Sequence, residues 1–325
     1  MWASLLKSIE ERDSFNMKKK MIRYIINRIL LCILVLLGVS IFSFGILHLA
    51  PGDPARLLLP QTATDEEINN LREKIGLNKP LHIQYFVYMK GVMKGDLGTS
   101  LYYKAPNLDL ILDRMPATLI LSAAAILGSC LLAIPLGVIA GVKQGSFIDF
   151  FAILFVVLGQ SISIVWFAIL LIFIFSVKLR ILPSFGYGFR ALIMPATALG
   201  FEMSALITRL TRAEMINVLS EDYILAIRAK GIQKYKVINR YALKNVLIPI
   251  TTIVGLTFAR FMGGQLVCES IFAWPGIGKL VMSAIYGRDF PLVQAVILVV
   301  ASFIVLINLA VDIIYSFIDP RIRYN

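Results

Sequence analysis

Glu202 and Arg260 are the two residues whose setting asks for a chemical role. Each stands about midway along a predominantly apolar run. A charge at such depth is costly, so it should face a bundle interior and find a partner. Two opposite charges on two such runs can clasp helices together, or share a water-filled pathway and touch or gate what passes along it. Asp312, near the end of the last apolar run, reads as an interface residue, and so does His48. Other chemistries find no constellation. Neither HExxH nor GxSxG occurs, and the two histidines, His48 and His82, are remote in sequence from any candidate nucleophile and too few for a His-rich metal site. Cys32, Cys130 and Cys268 have no CxxC spacing and read as small lipid- or core-facing residues. The phosphate-binding pattern GxxxxGK[ST] is absent. "PGIGKL" comes nearest, but Ala273 stands five before Gly278 and Leu280 follows Lys279. The expectation is no catalytic residue and no metal site.

The elements that position these charges are membrane spans. The chain has 325 residues, 58% of them hydrophobic, and a mean hydropathy of +0.79. Residues 29–50, 117–142 and 150–177 carry no Lys, Arg, Asp or Glu. Each run exceeds the roughly 20 residues a helix needs to cross about 30 Å of hydrocarbon. Backbone groups in lipid must be satisfied within the segment, so the fold class is an all-α polytopic membrane protein. Six spans are expected, at 25–49, 116–142, 149–177, 192–211, 246–268 and 291–318. The first run is too long for a signal-peptide core and no small-x-small site follows it, so it reads as an uncleaved helix. Met17 opens "MKKKMIRYIINRIL", a natural beginning, which makes residues 1–16 an upstream extension.

The net charge of +12 is read as topology rather than nucleic-acid binding. Residues 1–28 hold seven Lys/Arg against three acids, and 209–244 hold eight against three. Residues 52–115 balance eight against eight, and 269–291 two against two. Residues 178–190, with three basic residues and no acid, run against the pattern. The sum puts both termini inside. The domains are then a cytoplasmic segment 1–24, a first span 25–49, an extracytoplasmic cap region 50–115 and a membrane core 116–325 with a cytoplasmic loop 212–247. Within the cap, "TDEEINNLREKIGL" reads as a helix with Thr64 as N-cap, and Gly and Pro at 91, 95, 98 and 106 make the remainder loop-like. "FAWPGIGKL" reads as an external turn with Trp274 as an interfacial anchor. No internal repeat is evident.

The cytoplasmic loop is more than a run of charge. "EDYILAIRAKG" is helix-forming and Gly231 sits where a left-handed residue would end the helix. "QKYKVINRYALKNVL" resumes helically towards Pro249. Ala226 and Ala229 leave a low-relief face that another protein could approach, with Tyr223, Leu225 and Ile232 nearby. Setting topology needs charge, but not a glycine-broken helix pair with apolar residues turned away from the bilayer. A docking element accounts for both.

This stretch resembles the EAA loop of ATP-binding-cassette importer permeases, with Gly231 and Pro249 at the glycine and proline positions and Leu225 where the name-giving Glu would stand. "DYILAIRAKG" is closest to the peptide and nickel branch. "FSFGILHLAPGDPA", "YGFRALIMPATALG", "GGQLVCESIFAWPGIGKL", "AIYGRDFPLVQ" and "DPRIR" resemble the same branch in the same order. The resemblance covers residues 17–325. It implies a type I importer permease fold with six transmembrane helices and a cytoplasmic coupling helix. Glu221, Asp222, Tyr223, Ala226, Ala229 and Gly231 would dock in a groove of a cytoplasmic ATPase. That partner would use the ATP and Mg, leaving this chain without a cofactor and without an enzymatic role. One or two ATPases, a second homologous permease completing the pore, an extracytoplasmic solute-binding protein and membrane lipid would be its partners, in the bacterial inner membrane. By the same resemblance "FAWPGIGKL" would pack on the second permease or seal the outer vestibule. The cargo is a peptide or nickel (or another metal chelate), with peptide preferred on the breadth of the branch. A stand-alone secondary transporter is disfavoured, since neither inverted repeats nor paired broken helices are seen.

Overall fold

A computed structural model describes residues 26–45, 64–75, 78–263 and 265–318. The helices in chain order are α1 (Ile26–Gly45), α2 (Asp65–Ile75), α3 (Leu81–Met93), α4 (Asn107–Val142) and α5 (Phe147–Ser161). They continue with α6 (Ile164–Lys178), α7 (Phe189–Leu219), α8 (Asp222–Ala229) and α9 (Lys234–Met262). The last three are α10 (Leu266–Ile271), α11 (Ile277–Tyr286) and α12 (Phe290–Ile318). Among the described residues only an isolated bridge between Thr99 and Pro106 has β character.

Five helices (α1, α4, α7, α9 and α12) are long and apolar enough to span a membrane, and α5 with α6 makes a sixth if the pair counts as one span. That pair corrects the expectation of a single helix over 149–177, because the chain bends by 105° between them. Ile162 is extended there (φ −84°, ψ 125°), and Ser163 starts the next helix. A helix of 15 residues is only about 22 Å long, short of the ~30 Å core. A second correction falls in the cap region. Residues 81–93 are helical rather than loop-like, starting after Pro80 (φ −53°) and running through Gly91. Helix α4 also begins nine residues before the expected second span, at Asn107.

The described residues form two compact units, one from those up to Asp109 with those from Gly287, the other Leu110–Tyr286. In the first, α2 opens with a capping box. The Thr64 N–H donates to Glu67 Oε2 (2.9 Å), and the Glu67 N–H donates to Thr64 Oγ1 (3.4 Å). Helix α3 joins α1 through a hydrogen bond between the Ser40 and Tyr85 hydroxyls (2.7 Å) and an edge-on contact of the Phe44 and Tyr85 rings. Asp289, fully buried, caps α12 by accepting from the Leu292 N–H (3.3 Å). It also accepts from Ser100 Oγ and from the Tyr102 N–H (3.2 Å), which fixes the turn before α4.

In the second unit small residues let helices touch, as expected where lipid removes the hydrophobic drive for helix association. A Cβ on Gly137 would stand 2.6 Å from Thr211 Cβ, and one on Gly141 would stand 2.6 Å from Met215 Cβ, so α4 and α7 meet nearly backbone to backbone. Asp149 at the start of α5 receives Arg212 of α7 in a two-pronged pair, Nε to Oδ1 at 2.5 Å and Nη2 to Oδ2 at 2.9 Å. The Gly145 N–H adds a third bond to Asp149 Oδ2 at 2.9 Å. Phe201 stacks on Phe167 at 4.3 Å and meets Phe155 edge-on at 5.4 Å, closing α7 against both α6 and α5.

Candidate functional site

The segment picked out in the sequence is a short helix held by one face. In α8 Ile224 is fully buried and Ile227 packs partly against the same core. Residues three apart share a helix face, so the opposite side carries the rest. Glu221, Asp222, Tyr223, Leu225, Ala226, Arg228 and Ala229 are exposed. The two alanines leave the low-relief surface expected of them, and Leu225 stands half in the open at 52% exposure. The Tyr223 hydroxyl accepts from Asn245 Nδ2 at 2.7 Å, tying α8 to α9. Ile232 turns inward and packs on the core, so it does not belong to the outward surface.

Gly231 ends this helix as its φ of +75° requires. Its N–H donates to the Arg228 carbonyl at 3.0 Å, one of the bonds of a left-handed helix end. No atom lies within 4 Å of where a Cβ would be, so the residue faces open space and its need for glycine is conformational. The sequence placed the loop at 212–247. The ordered helix α7 runs on to Leu219, and α9 resumes at Lys234, so the non-helical links are a few residues each. Helix α9 widens into a π turn over Val237–Ala242. Val237 and Ala242, five apart, are thereby buried together, and Val246 and Ile250 continue the buried line at ordinary spacing.

Glu202 and Arg260 come together, but not in the interior of this chain. Arg260 Nη2 lies 4.0 Å from Glu202 Oε1, and their side chains are 66% and 60% exposed. The expected inward placement follows from treating the chain as its own bundle. Here the pair sits on the outward side of α7 and α9.

The sequence reading missed a third arrangement. Trp274, expected as an interfacial anchor, is 1% exposed and donates from Nε1 to the Ala117 carbonyl at 2.8 Å. Around it the chain folds over Glu269, whose side chain is fully buried. Thr118 Oγ1 donates to Glu269 Oε1 (2.8 Å) and the Lys279 N–H to Oε2 (3.2 Å), while Thr118 Oγ1 also accepts from the Ile277 N–H (2.8 Å). The only sequence signal was the density of Gly and Pro two turns after an acid in "CESIFAWPGIGKL".

Burial lifts the Glu269 carboxyl above its ordinary range, against the pull of Thr118 and the backbone donors. The native state therefore holds a proton more tightly than the unfolded chain does. The stability this carries is present below the unfolded carboxyl value and is lost as pH rises through the raised native one, by about 1.4 kcal/mol per unit between them. Thermal melting of the purified permease in detergent should fall across that rise, and Glu269→Gln should flatten the profile. A wild-type profile that rises with pH over the same window would contradict the buried, proton-favouring setting.

Among the described residues no group of three or more His, Cys, Asp or Glu could hold a metal ion. Residues 133–324 match the family described as binding-protein-dependent transport system inner membrane component, and 21–122 match its N-terminal membrane-component region. The chain is 40% identical over 333 residues to the dipeptide transport system permease protein DppB of Alkalihalophilus pseudofirmus, covering 94% of this chain and all of that one. It is 37% identical over 316 residues to the oligopeptide transport system permease protein AppB of Bacillus subtilis, again 94% of this chain and all of that one. The glutathione transport system permease protein GsiC of Salmonella typhimurium is 37% identical over 306 residues, with the same coverage.

Proposed function

Because the chain belongs to the family of inner-membrane components of binding-protein-dependent transport systems, we propose that it forms half of a peptide-importing pore worked from the cytoplasm through α8. It is a multi-pass transport permease subunit of an ATP-driven importer and not an enzyme. The peptide cargo draws on the names of the relatives, which are dipeptide, oligopeptide and glutathione permeases. None of these three names nickel. A second permease would complete the pore, an extracytoplasmic binding protein would deliver cargo, and a cytoplasmic ATPase would bind ATP and Mg. Both termini would then be cytoplasmic, with α8 on the same side.

The observation that carries the coupling role is the split of α8 into two faces. Ile224 roots it in the hydrophobic core, while Leu225, Ala226 and Ala229 remain uncovered. A partner that pushes on the uncovered face moves the core through the rooted one. Nucleotide would drive transport by binding the outward-open state better than the inward-open one.

Gly231→Glu tests this. A side chain at φ +75° costs about 1–2 kcal/mol locally, and a carboxylate would be added beside the docking face. In the reconstituted complex with its ATPases and binding protein, the variant should insert normally and lose binding-protein-stimulated ATP hydrolysis. Unchanged stimulation would mean that the segment sets topology only.

A further inference from the structure

The outward faces of the spans within Leu110–Tyr286 differ in kind. On α4, α5 and α6 the large exposed side chains are mostly apolar, Leu127, Leu131, Phe150, Val157, Trp166 and Phe173 among them, with Asp113, Gln160 and Lys178 the polar or charged exceptions. On the second half of α7 and on α9 the exposed positions include Glu202, Thr251 and Arg260, beside the apolar Leu256. Hydrocarbon is a poor neighbour for charges that are 60% and 66% exposed. The α7–α9 face therefore meets water or a polar surface, while the α4–α6 face suits lipid. At 4.0 Å Glu202 and Arg260 attract each other but are beyond hydrogen-bond range. Each retains its capacity to bond something else.

We infer that Glu202 and Arg260 form a cargo subsite, in which Glu202 takes the ammonium end and Arg260 the carboxylate end of a short peptide. This rests on the peptide-import reading. The chemistry suits a zwitterion. Arg presents a planar fork that matches a carboxylate, and a carboxylate accepts readily from an ammonium. Without cargo the two side chains neutralise each other across the gap. With cargo each exchanges its partner for one of the same sign, so no net charge is added to the path at any point. An extended dipeptide spans roughly 7 Å, within the reach of two long side chains on neighbouring helices. Arg209 is engaged elsewhere, donating to Gln160 Oε1 at 3.2 Å.

The test uses the complete transporter in proteoliposomes, with uptake of dialanine and ATP hydrolysis measured in parallel. Glu202→Gln and Arg260→Gln should each cut uptake about tenfold or more, as expected for loss of a charge-assisted contact. Binding-protein-stimulated hydrolysis should persist, so that more ATP is spent per peptide. Arg260→Lys, which keeps the charge and loses the fork, should recover only part of the uptake. If uptake and hydrolysis fall together, or neither changes, the pair is a helix clasp and the assignment is overturned. A wild-type complex that hydrolyses ATP with its binding protein but imports neither dialanine nor any longer peptide overturns the peptide reading, and this assignment with it. A second measurement does not depend on activity. Glu202→Cys in the assembled complex should react with a cationic methanethiosulfonate reagent, and dialanine delivered by the binding protein should slow the reaction. A cysteine that never reacts, with or without nucleotide, lies on no aqueous path and overturns the subsite.

Discussion

Gly276→Ala should cost about 3–5 kcal/mol and leave little assembled permease, because it overpacks a filled site and evicts the buried Glu269 carboxyl group from its donors. A Cβ at this position would stand 2.3 Å from Glu269 Oε2 and 2.4 Å from both Cδ and Oε1. The fully buried side chain has little free volume into which to retreat. If it moves, the Thr118 hydroxyl and the Lys279 N–H lose their acceptor. Overpacking alone costs about 1–3 kcal/mol, and the unpaired buried polar groups add to it. Melting of the purified chain in detergent, with its yield after size exclusion, measures the loss. The double variant Gly276→Ala with Glu269→Ala should recover part of it, since the carboxylate is then gone. If the single variant melts like wild type, the carboxylate is not held where it is described.

The next largest effect is expected for Asp149→Ala. The carboxylate is 5% exposed and accepts both prongs of Arg212, which is 28% exposed. Removing it leaves a guanidinium partly buried between α5 and α7 with no acceptor. Such a loss costs 3–5 kcal/mol at a fully buried pair, and the exposure of Arg212 reduces it to about 2–3 kcal/mol. Arg212→Ala should be nearly as damaging, because it strands the more buried partner. A double-mutant cycle should then return a coupling energy of about 1–3 kcal/mol. Additive losses would mean that the two helices are held by their apolar and small-residue contacts alone.

The sequence made the spans legible because lipid imposes one rule on every stretch that crosses it. It made α8 legible because glycine at a helix end and two alanines on one side have few other uses. Where the reading fell short, the cause was local. The bend between α5 and α6 has neither Pro nor Gly at Ile162, and an apolar run hides a break, since hydropathy counts residues and not directions. Its length, 29 residues for 149–177 where about 20 suffice, was the one available sign. Trp274 looked interfacial by type. Its burial is set by the fold of the turn around Glu269, and the partners in that turn, Ala117 and Thr118, lie some 150 residues earlier. The outward position of Glu202 and Arg260 was hidden for another reason: a single chain's sequence does not say which of its faces another subunit or an aqueous path will cover.

The π turn at Val237–Ala242 bears on how motion can pass along this part of the chain. A π turn holds one residue more than the α-helix around it. Drawing that residue out would lengthen the connection by about 1.5 Å and swivel one portion against the other by roughly 100°, the rise and rotation of a single α-helical step. Lys234–Lys236 lie on one side of the turn and Leu243–Met262 on the other. The helix after α8 thus contains its own slack, and a screw-like change of register is available to it without unwinding either end.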